Sequence, residues 1–147
     1  MEVRQATVED LDALVPLFDA YRQFYRQPSD LDGSRRFLLA RFENHESVVF
    51  VALREGCAIG FVQLYPSFSS TAMARIFVLN DLFVHSHQRR GGAGAALLRK
   101  AAEYGRAEGA LRLSLRTELT NSTAQSLYES LGWKRDQVFC GYELSLQ

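Results

Sequence analysis

Apolar positions near the start of the chain repeat with helical spacing, which predicts an amphipathic first helix. The residues that carry this pattern are Leu11, Leu14, Val15, Phe18 and Tyr21. Before them, residues 3–6 predict a short strand, and Thr7-Val8-Glu9-Asp10 has the form of a capping box that starts a helix. Residues 27–33 are loop-like, and residues 34–44 predict a second helix.

Runs of β-branched and aromatic residues then predict three successive strands. Residues 48–53 and 58–65 form a predicted hairpin around the turn Glu55-Gly56, and a longer strand covers residues 74–84. These three runs follow one another without a helical pattern between them. They therefore favour a sheet of mixed direction over the strict βαβ alternation of a doubly wound fold.

Glycines divide the remaining chain into helices and strands. A glycine-rich turn opens a helix that runs to about Arg106 and stops at Gly109. Residues 111–117 alternate as a strand, and a helix over residues 122–131 ends at Gly132. Residues 133–146 predict the final strands, which gives an α/β (α+β) domain.

Composition and charge restrict the class of protein. The chain has 147 residues, 47% of them hydrophobic and 23% charged, which fits one ordinary domain over residues 1–147. Seventeen basic residues balance seventeen acidic ones. A zero net charge argues against a nucleic-acid partner, whose binding depends on a surplus of Lys and Arg. It leaves room for a small anion held by a local arginine pair.

Cysteine content and hydropathy indicate the compartment. Cys57 and Cys140 are too few for a disulfide framework, and we expect both to be buried free thiols. The first residues lack the apolar stretch of a signal peptide, and no apolar run reaches the roughly 20 residues of a membrane span. We expect a cytoplasmic protein with no membrane partner.

The most informative segment is the glycine-rich turn after the strand that ends at Val84. Strand, glycine turn and helix together present main-chain N–H groups and a helix N-terminus to an anion, and arginines add charged donors. A nucleotide P-loop needs a lysine at the helix start, but none occurs before Lys100. A dinucleotide fingerprint needs Gly or Ala where Leu97 stands. The alternative is a plain glycine turn with a solvated basic face.

The segment Arg89-x-x-Gly92-x-Gly94 resembles the acetyl-CoA signature of the GCN5-related N-acetyltransferases (GNAT), Gln/Arg-x-x-Gly-x-Gly/Ala. Residues 80–84, Asn-Asp-Leu-Phe-Val, are similar to the family's central strand. Residues 121–133, with the pattern Asn-x-x-Ala-x-x-Leu-Tyr-x-x-Leu-Gly-Trp, are similar to its second cofactor motif. The resemblance covers nearly the whole chain and is strongest toward the polyamine-type (Hpa2-like) branch.

This resemblance implies a mixed, mostly antiparallel sheet of six to seven strands with about four helices and splayed central strands. It implies acetyl-CoA as cosubstrate, no metal, and direct attack of a primary amine on the thioester in a ternary complex. The acceptor would be a polyamine, another small amine, or a lysine-like or peptide amine. A homodimer through the final strands would fit the family.

The resemblance also implies the cofactor contacts. Main-chain groups of Leu82, Phe83 and Val84 would bond the pantetheine arm, and Asn121 would bond the arm near the start of its helix. The pyrophosphate would be held by the turn, namely by Arg89, Arg90, Gly91, Gly92, Ala93 and Gly94.

Tyr128 occupies the position of the family's general acid, which would protonate the leaving thiolate. Taken by spacing alone, Tyr128 also belongs to an apolar stripe with Ala124, Leu127 and Leu131, so core packing is the alternative.

The group that accepts the amine proton is open at this point. Asn80 stands where the polyamine-type branch has Glu, and an amide is no base. Asp81 or Glu118 would relay the proton through water, or the amine would lose it in bulk solvent. Because side chains alternate along a strand, we expect only one of Asn80 and Asp81 to face the cleft, and the family register favours Asn80.

Other residues are weaker candidates. Residues 30–32, Asp-Leu-Asp, and the aromatic group Tyr21, Phe24 and Tyr25 would suit a cationic amine, or would be a solvated turn and a helix end. His85 and His87 are expected to be solvated. A non-catalytic acyl-CoA-binding sensor or regulatory domain is the alternative function, because Asn80 removes a base.

Overall fold

The computed structural model describes all 147 residues, which form two compact units. The first unit is Met1–Arg116 and the second is Thr117–Gln147. The first unit contains a five-stranded sheet and three helices, and the second contains one helix. No helix is long and apolar enough to cross a membrane.

The sheet has its strands in sequence order, with three antiparallel pairs followed by one parallel pair. The strands are β1 (Glu2–Gln5), β2 (Val48–Arg54), β3 (Cys57–Ser69), β4 (Ala74–Val84) and β5 (Leu113–Ser114). The helices are α1 (Leu11–Phe24), α2 (Leu31–Glu43), α3 (Ala93–Ala107) and, in the second unit, α4 (Ser122–Ser130).

Local side chains cap the 3-10 turn Val8–Asp10, which leads directly into α1, and the start of α2. The predicted capping box is confirmed: the Thr7 N–H donates to Asp10 Oδ2 at 2.8 Å, and the Glu9 N–H donates to Thr7 Oγ1 at 3.3 Å. Helix α2 begins three residues before the predicted position. The Asp30 carboxylate accepts from the Gly33 N–H at 2.9 Å and so caps the helix at that point.

Helices cover both faces of the sheet. Helices α1 and α2 bury Leu14, Phe18 and Leu38 in one apolar cluster with Val49, Val51, Phe61 and Phe83. Helix α3 places the ring of Tyr104 between those of Phe50 and Phe77, with centroid separations of 5.4 and 5.5 Å. Because Phe50 lies between Val49 and Val51 in the strand, its ring points to the other face. The sheet is therefore the middle layer of three.

Strand β4 matches its predicted bounds, but its two edges differ. Along one edge it pairs with β3 from Ala74 to Val84. On the other edge β5 pairs only with Phe77 and Val78. The segment from Leu79 to Val84 therefore has no strand beside it on that edge.

A register shift interrupts the pairing of β3 and β4. Gln63 pairs with Asp81 and the next residue, Leu64, pairs with Leu79. Asn80 is thus the extra residue of a β-bulge, a feature that is common beside active sites.

Several predicted strands are wrong. The sheet has five strands rather than six to seven, because residues 111–117 reduce to Leu113–Ser114 and residues 133–146 contain no strand. An alternating pattern favours an extended chain but supplies no partner, and a strand needs one for its main-chain bonds. From Val138 onward the large apolar side chains are 80–92% exposed, namely Val138, Phe139, Tyr142, Leu144 and Leu146.

The cysteines also depart from prediction. Both are free, but both are exposed rather than buried. Cys57 directly follows the hairpin turn, and Cys140 lies in the segment without regular structure. Neither position is covered by other elements.

Candidate functional site

The glycine-rich turn leads directly into α3, and Gly92 caps that helix with a φ of +84°. This is the left-handed region, which glycine adopts without strain. The main-chain N–H groups in the first turn of α3 have no partner within the helix and carry the positive end of its dipole. Ala93 and Leu97 are buried and hold this end of the helix in place. The turn can therefore accept an anion.

The two arginines of the turn differ from each other in their surroundings. Arg89 Nε donates to the Val84 carbonyl oxygen at 3.0 Å, and its guanidinium lies 5.5 Å from the ring centroids of both Phe24 and Phe83. Arg89 is thus engaged with α1 and β4. Arg90 is exposed and has a φ of +68°.

Arg54, at the end of β2, supports the same turn. Its Nη1 donates to Gln88 Oε1 at 2.6 Å and its Nη2 donates to the Gly91 carbonyl oxygen at 3.4 Å. Sequence reasoning did not find this residue, because nothing near Arg54 in the chain points to the turn.

The unpaired edge of β4 exposes main-chain groups of alternate residues. The His85 N–H donates to the Ile59 carbonyl oxygen at 2.8 Å, so the groups of Phe83 and Asp81 also face β3. Those of Leu82 and Val84 face the unpaired edge. Of the three residues expected to bond a pantetheine arm, Phe83 is therefore wrong, because β3 takes its main-chain groups.

A buried polar network occupies the bulge. Asp81 is 4% exposed, and its carboxylate accepts from Asn80 Nδ2 at 3.0 Å and from Gln63 Nε2 at 2.5 Å. Gln63 is fully buried, and its Oε1 accepts from Ser47 Oγ at 2.8 Å. The expectation that Asn80 and Asp81 point to opposite sides is wrong, because the bulge brings the two side chains together.

Two tyrosines surround this network. The Tyr21 hydroxyl donates to the Asn80 carbonyl oxygen at 3.2 Å and also reaches the Asp81 carboxylate. Burial, reinforced by the Asp81 charge, raises the pKa of Tyr21. The same two causes raise the pKa of Tyr65 to about 12. Both phenols therefore stay protonated and act as neutral groups.

Tyr21 was a candidate within the aromatic group, but Gln63, Tyr65 and Ser47 were not found from the sequence. Buried Gln63 on an otherwise apolar run of β3 was the available signal. Tyr21 contacts Tyr25, Phe61 and Phe83 through ring edges at centroid separations of 5.2, 5.8 and 6.2 Å.

The weaker candidates have other surroundings. Asp30 caps α2, and Asp32 lies in the first turn of that helix. His85 and His87 are exposed, with ring centroids 5.1 Å apart, as expected. No group of three or more His, Cys, Asp or Glu side chains is arranged around a metal position.

The second unit contains the remaining candidates. Asn121 caps α4, since its Oδ1 accepts from the Ala124 N–H at 3.1 Å. The Tyr128 ring lies 6.0 Å from that of Trp133, and the Tyr128 carbonyl oxygen accepts from the Trp133 N–H at 3.0 Å. No residue of α4 is fully buried, so the stripe that contains Tyr128 is not a closed core. The Glu118 carbonyl oxygen accepts from Gln125 Nε2 at 3.1 Å.

Comparison with known proteins agrees with the resemblance. The sequence profile of the acetyltransferase (GNAT) family matches residues 14–133. A Bacillus subtilis (strain 168) protein, named as the uncharacterized N-acetyltransferase YhfO, is 52% identical over 99% of this chain and 98% of its own. The crystal structure of a probable acetyltransferase superposes with a TM-score of 0.96 and 42% identity, covering 100% of this chain and 99% of the other.

A more distant structure shares the fold alone. An aminoglycoside N-acetyltransferase in complex with CoA superposes with a TM-score of 0.81 at 19% identity, over 97% of this chain and 93% of the other.

Proposed function

Because the chain belongs to the acetyltransferase (GNAT) family, we propose that it transfers the acetyl group of acetyl-CoA to a primary amine by direct attack in a ternary complex. The observation that carries this proposal is the unpaired edge of β4 from Leu79 to Val84, which leads into a glycine turn at a helix N-terminus. A strand edge and a helix start suit the amides and the pyrophosphate of coenzyme A.

The cofactor contacts follow from this edge. The main-chain groups of Leu82 and the N–H of Val84 would pair with the pantetheine amides, because the Val84 carbonyl oxygen already accepts from Arg89 Nε. Main-chain N–H groups from Arg89 to Gly94 would hold the pyrophosphate, with Arg90 as an exposed cation at the same turn. Asn121 uses its Oδ1 as a helix cap, so its Nδ2 would be the group that reaches the cofactor arm.

The chemistry needs two proton movements. The amine nitrogen attacks the thioester carbonyl carbon, the oxyanion is stabilised by main-chain N–H groups of β4, and the C–S bond breaks. The Tyr128 phenol would protonate the leaving thiolate. The amine proton would pass through water to Asp81 or Glu118, or be lost to bulk solvent before binding. Asn80 accepts no proton and would orient the acceptor.

Thiol release tests the activity. The protein is supplied with acetyl-CoA and a panel of polyamines, lysine analogues, aminoglycosides and peptides, and free coenzyme A is measured. We expect release with at least one amine, and preference for polyamines would support the polyamine-type branch. If the protein binds coenzyme A but releases no free thiol with any amine of the panel, the alternative function, a non-catalytic acyl-CoA sensor, would be favoured. The absence of a base at Asn80 is the feature that supports this alternative.

Tyr128→Phe tests the acid. Losing a positioned proton donor should lower kcat by roughly 10²–10⁴-fold while leaving the Kd of coenzyme A unchanged. Tyr142→Phe is the matched control, because that phenol is in the same unit and is 92% exposed. An unaltered rate in Tyr128→Phe would remove Tyr128 from the mechanism.

Gly92→Val tests the pyrophosphate cradle. A side chain at a φ of +84° should distort the turn and weaken coenzyme A binding at least about tenfold, or about 1.4 kcal/mol. Gly109→Val is the control. It introduces a similar strain at a φ of +72°, beyond the C-terminal end of α3, and should leave the affinity for coenzyme A unchanged. Equal affinities for the two variants would show that the cradle lies elsewhere.

Three broader features belong to the same proposal. The two units would serve one reaction as a single domain over residues 1–147, supported by a family match that spans both. Free Cys57 and Cys140 suit the reducing cytoplasm. The exposed apolar segment from Val138 to Leu146 would bind a second copy of the chain. Light scattering of the full chain should give twice the monomer mass.

A further inference from the structure

Asp81 is a buried carboxylate with neutral hydrogen-bond partners and no cation beside it. Its exposed fraction is 4%, and its donors are the side-chain amides of Asn80 and Gln63, with the Tyr21 hydroxyl beside it. The ion pairs of the structure involve other carboxylates. Taking an unpaired charge out of water costs several kcal/mol, so a buried carboxylate without a cation calls for an explanation.

Hydrogen bonding alone does not require that charge. An asparagine at position 81 could accept from Asn80 Nδ2 through its oxygen and donate to Gln63 through its amide. Gln63 would then turn its own amide toward Ser47 Oγ, because a hydroxyl accepts as readily as it donates. Every member of the network would keep a partner. The hydrogen bonds of the folded chain therefore do not need the negative charge of Asp81, so the role of that charge lies outside them.

The network around Asp81 reaches the protein surface at Asn80. The Asn80 side chain is exposed, and because its Nδ2 donates to Asp81, its Oδ1 is turned away as an acceptor. Tyr21 and Tyr65 are half-buried beside the carboxylate, and the Tyr21 ring contacts Phe61 and Phe83. Neutral oxygens, aromatic faces and one buried charge together make a site for a cation with an apolar stem.

We infer that Asp81 is the counter-charge for the ammonium form of the acceptor, with Asn80 and Tyr21 as its contact groups. The inference rests on the proposed function and names its substrate class: a primary alkylammonium with no anionic group on the neighbouring carbon. An α-carboxylate would bring a second negative charge close to a carboxylate that water does not screen. Alkylamines and lysine side chains fit this site, and α-amino acids do not.

The test is ligand binding without transfer, in the presence of coenzyme A, which carries no acetyl group. Hexylamine, hexan-1-ol and 2-aminoheptanoic acid share the same six-carbon chain, and differ in the ammonium and in the added carboxylate. Calorimetric titration of the wild type should give a Kd for hexylamine at least tenfold below that of either other ligand. In Asp81→Asn the Kd for hexylamine should come within about threefold of that for hexan-1-ol.

Two further variants locate the effect. Asp12→Asn removes an exposed carboxylate from α1, the helix that carries Tyr21, and should keep the wild-type preference. Asp32→Asn should also keep it, and loss of the preference there would move the amine site to the start of α2 and overturn the inference. A retained preference in Asp81→Asn would overturn it too.

A stability measurement separates this role from a structural one. The Tm of Asp81→Asn should equal or exceed that of the wild type, because the network can be satisfied without the charge. A large fall in Tm, or failure to fold, would show that the fold needs the carboxylate and would overturn the inference. If the protein prefers hexylamine in binding but releases no thiol with any amine, the amine site is supported and the proposed transferase activity is refuted.

Discussion

The first unit buries two carboxylates, Asp19 and Asp81, to the same 4% exposure, but in very different surroundings. Asp19 lies in α1 and accepts hydrogen bonds from the segment that leads into α2. The Asp30 N–H and Ser29 Oγ both donate to it at 2.7 Å, and Gln23 Nε2 donates at 3.0 Å. Asp81 lies in a strand bulge among side-chain amides and phenols.

Charge compensation separates the two carboxylates further. The guanidinium of Arg22 lies 3.9 Å from Asp19 Oδ1. Burial acts to raise the pKa of Asp19, but the bonds from Asp30 and Ser29, with the Arg22 charge, outweigh it and hold that pKa below its ordinary value. The fold therefore stabilises the ionised form of Asp19 and uses it to fix the connection between α1 and α2.

The difference gives a criterion for interpreting buried charges. Asp19 has the Arg22 guanidinium beside it and a pKa held below its ordinary value, so the fold itself uses a charge that an asparagine would not supply. The network around Asp81 could be satisfied by an asparagine. The charge of Asp19 is thus used by the fold, whereas the hydrogen bonds around Asp81 do not depend on a charge.

The largest expected effect is that of Asp19→Asn. Replacing the carboxylate by a neutral amide removes the charge from every bond that Asp19 accepts and leaves the Arg22 guanidinium without its partner, so the free energy of unfolding should fall by about 3 kcal/mol. Urea denaturation measures this, with exposed Asp12→Asn as the control. If Asp19→Asn were as stable as the wild type, the contrast between the two carboxylates would fail.

A pair of serine variants sharpens the contrast. Ser29 Oγ donates to the Asp19 carboxylate at 2.7 Å, whereas Ser47 Oγ donates to the neutral Gln63 amide oxygen at 2.8 Å. Bonds to charged groups contribute more to stability, so Ser29→Ala should cost about 2 kcal/mol and Ser47→Ala about 1 kcal/mol. Thermal and urea unfolding of the two variants give the comparison, and a reversed order would contradict it.

The smallest effect concerns acid pH. A lowered folded-state pKa contributes stability that is complete above the ordinary value of 3.8 and is lost as the pH falls through the folded pKa. The stability gap between wild type and Asp19→Asn should therefore be constant near neutrality. Below about pH 4 it should narrow by about 1.4 kcal/mol per pH unit until the folded pKa is reached. A gap that stays constant down to pH 2 would contradict this.

Local features of the fold were predictable because their causes lie within a few residues. The capping box needs only Thr7 and Asp10, and the start of α3 needs only a glycine that adopts a positive φ. The start of α2 was predicted wrongly. It depends on the Asp30 carboxylate accepting from the Gly33 N–H, and the loop-like composition of this segment gave no indication of that bond.

The site was predictable to a smaller extent. The motif at Arg89–Gly94 indicated a cofactor turn, and Asp81 was a candidate, but the expectations that Asn80 and Asp81 point to opposite sides and that Phe83 offers main-chain groups to the cofactor were wrong. Strand alternation assumes a regular strand, and the bulge at Asn80 arises from pairing with β3, which the sequence of β4 alone does not show. Gln63 and Tyr21 reach Asp81 from distant positions in the chain.

The sequence by itself determined the family, the helices, the bounds of β4 and the glycine turn, because these depend on short-range spacing and on motifs. The tertiary structure alone decided which strand edge is open, which residues of β3 and α1 surround Asp81, and that residues 133–146 form no strand. Main-chain pairing and burial are properties of contacts between distant segments. For that reason an alternating pattern predicts an extended chain but not its partner, and an aspartate in a strand carries no sign of whether its charge is compensated.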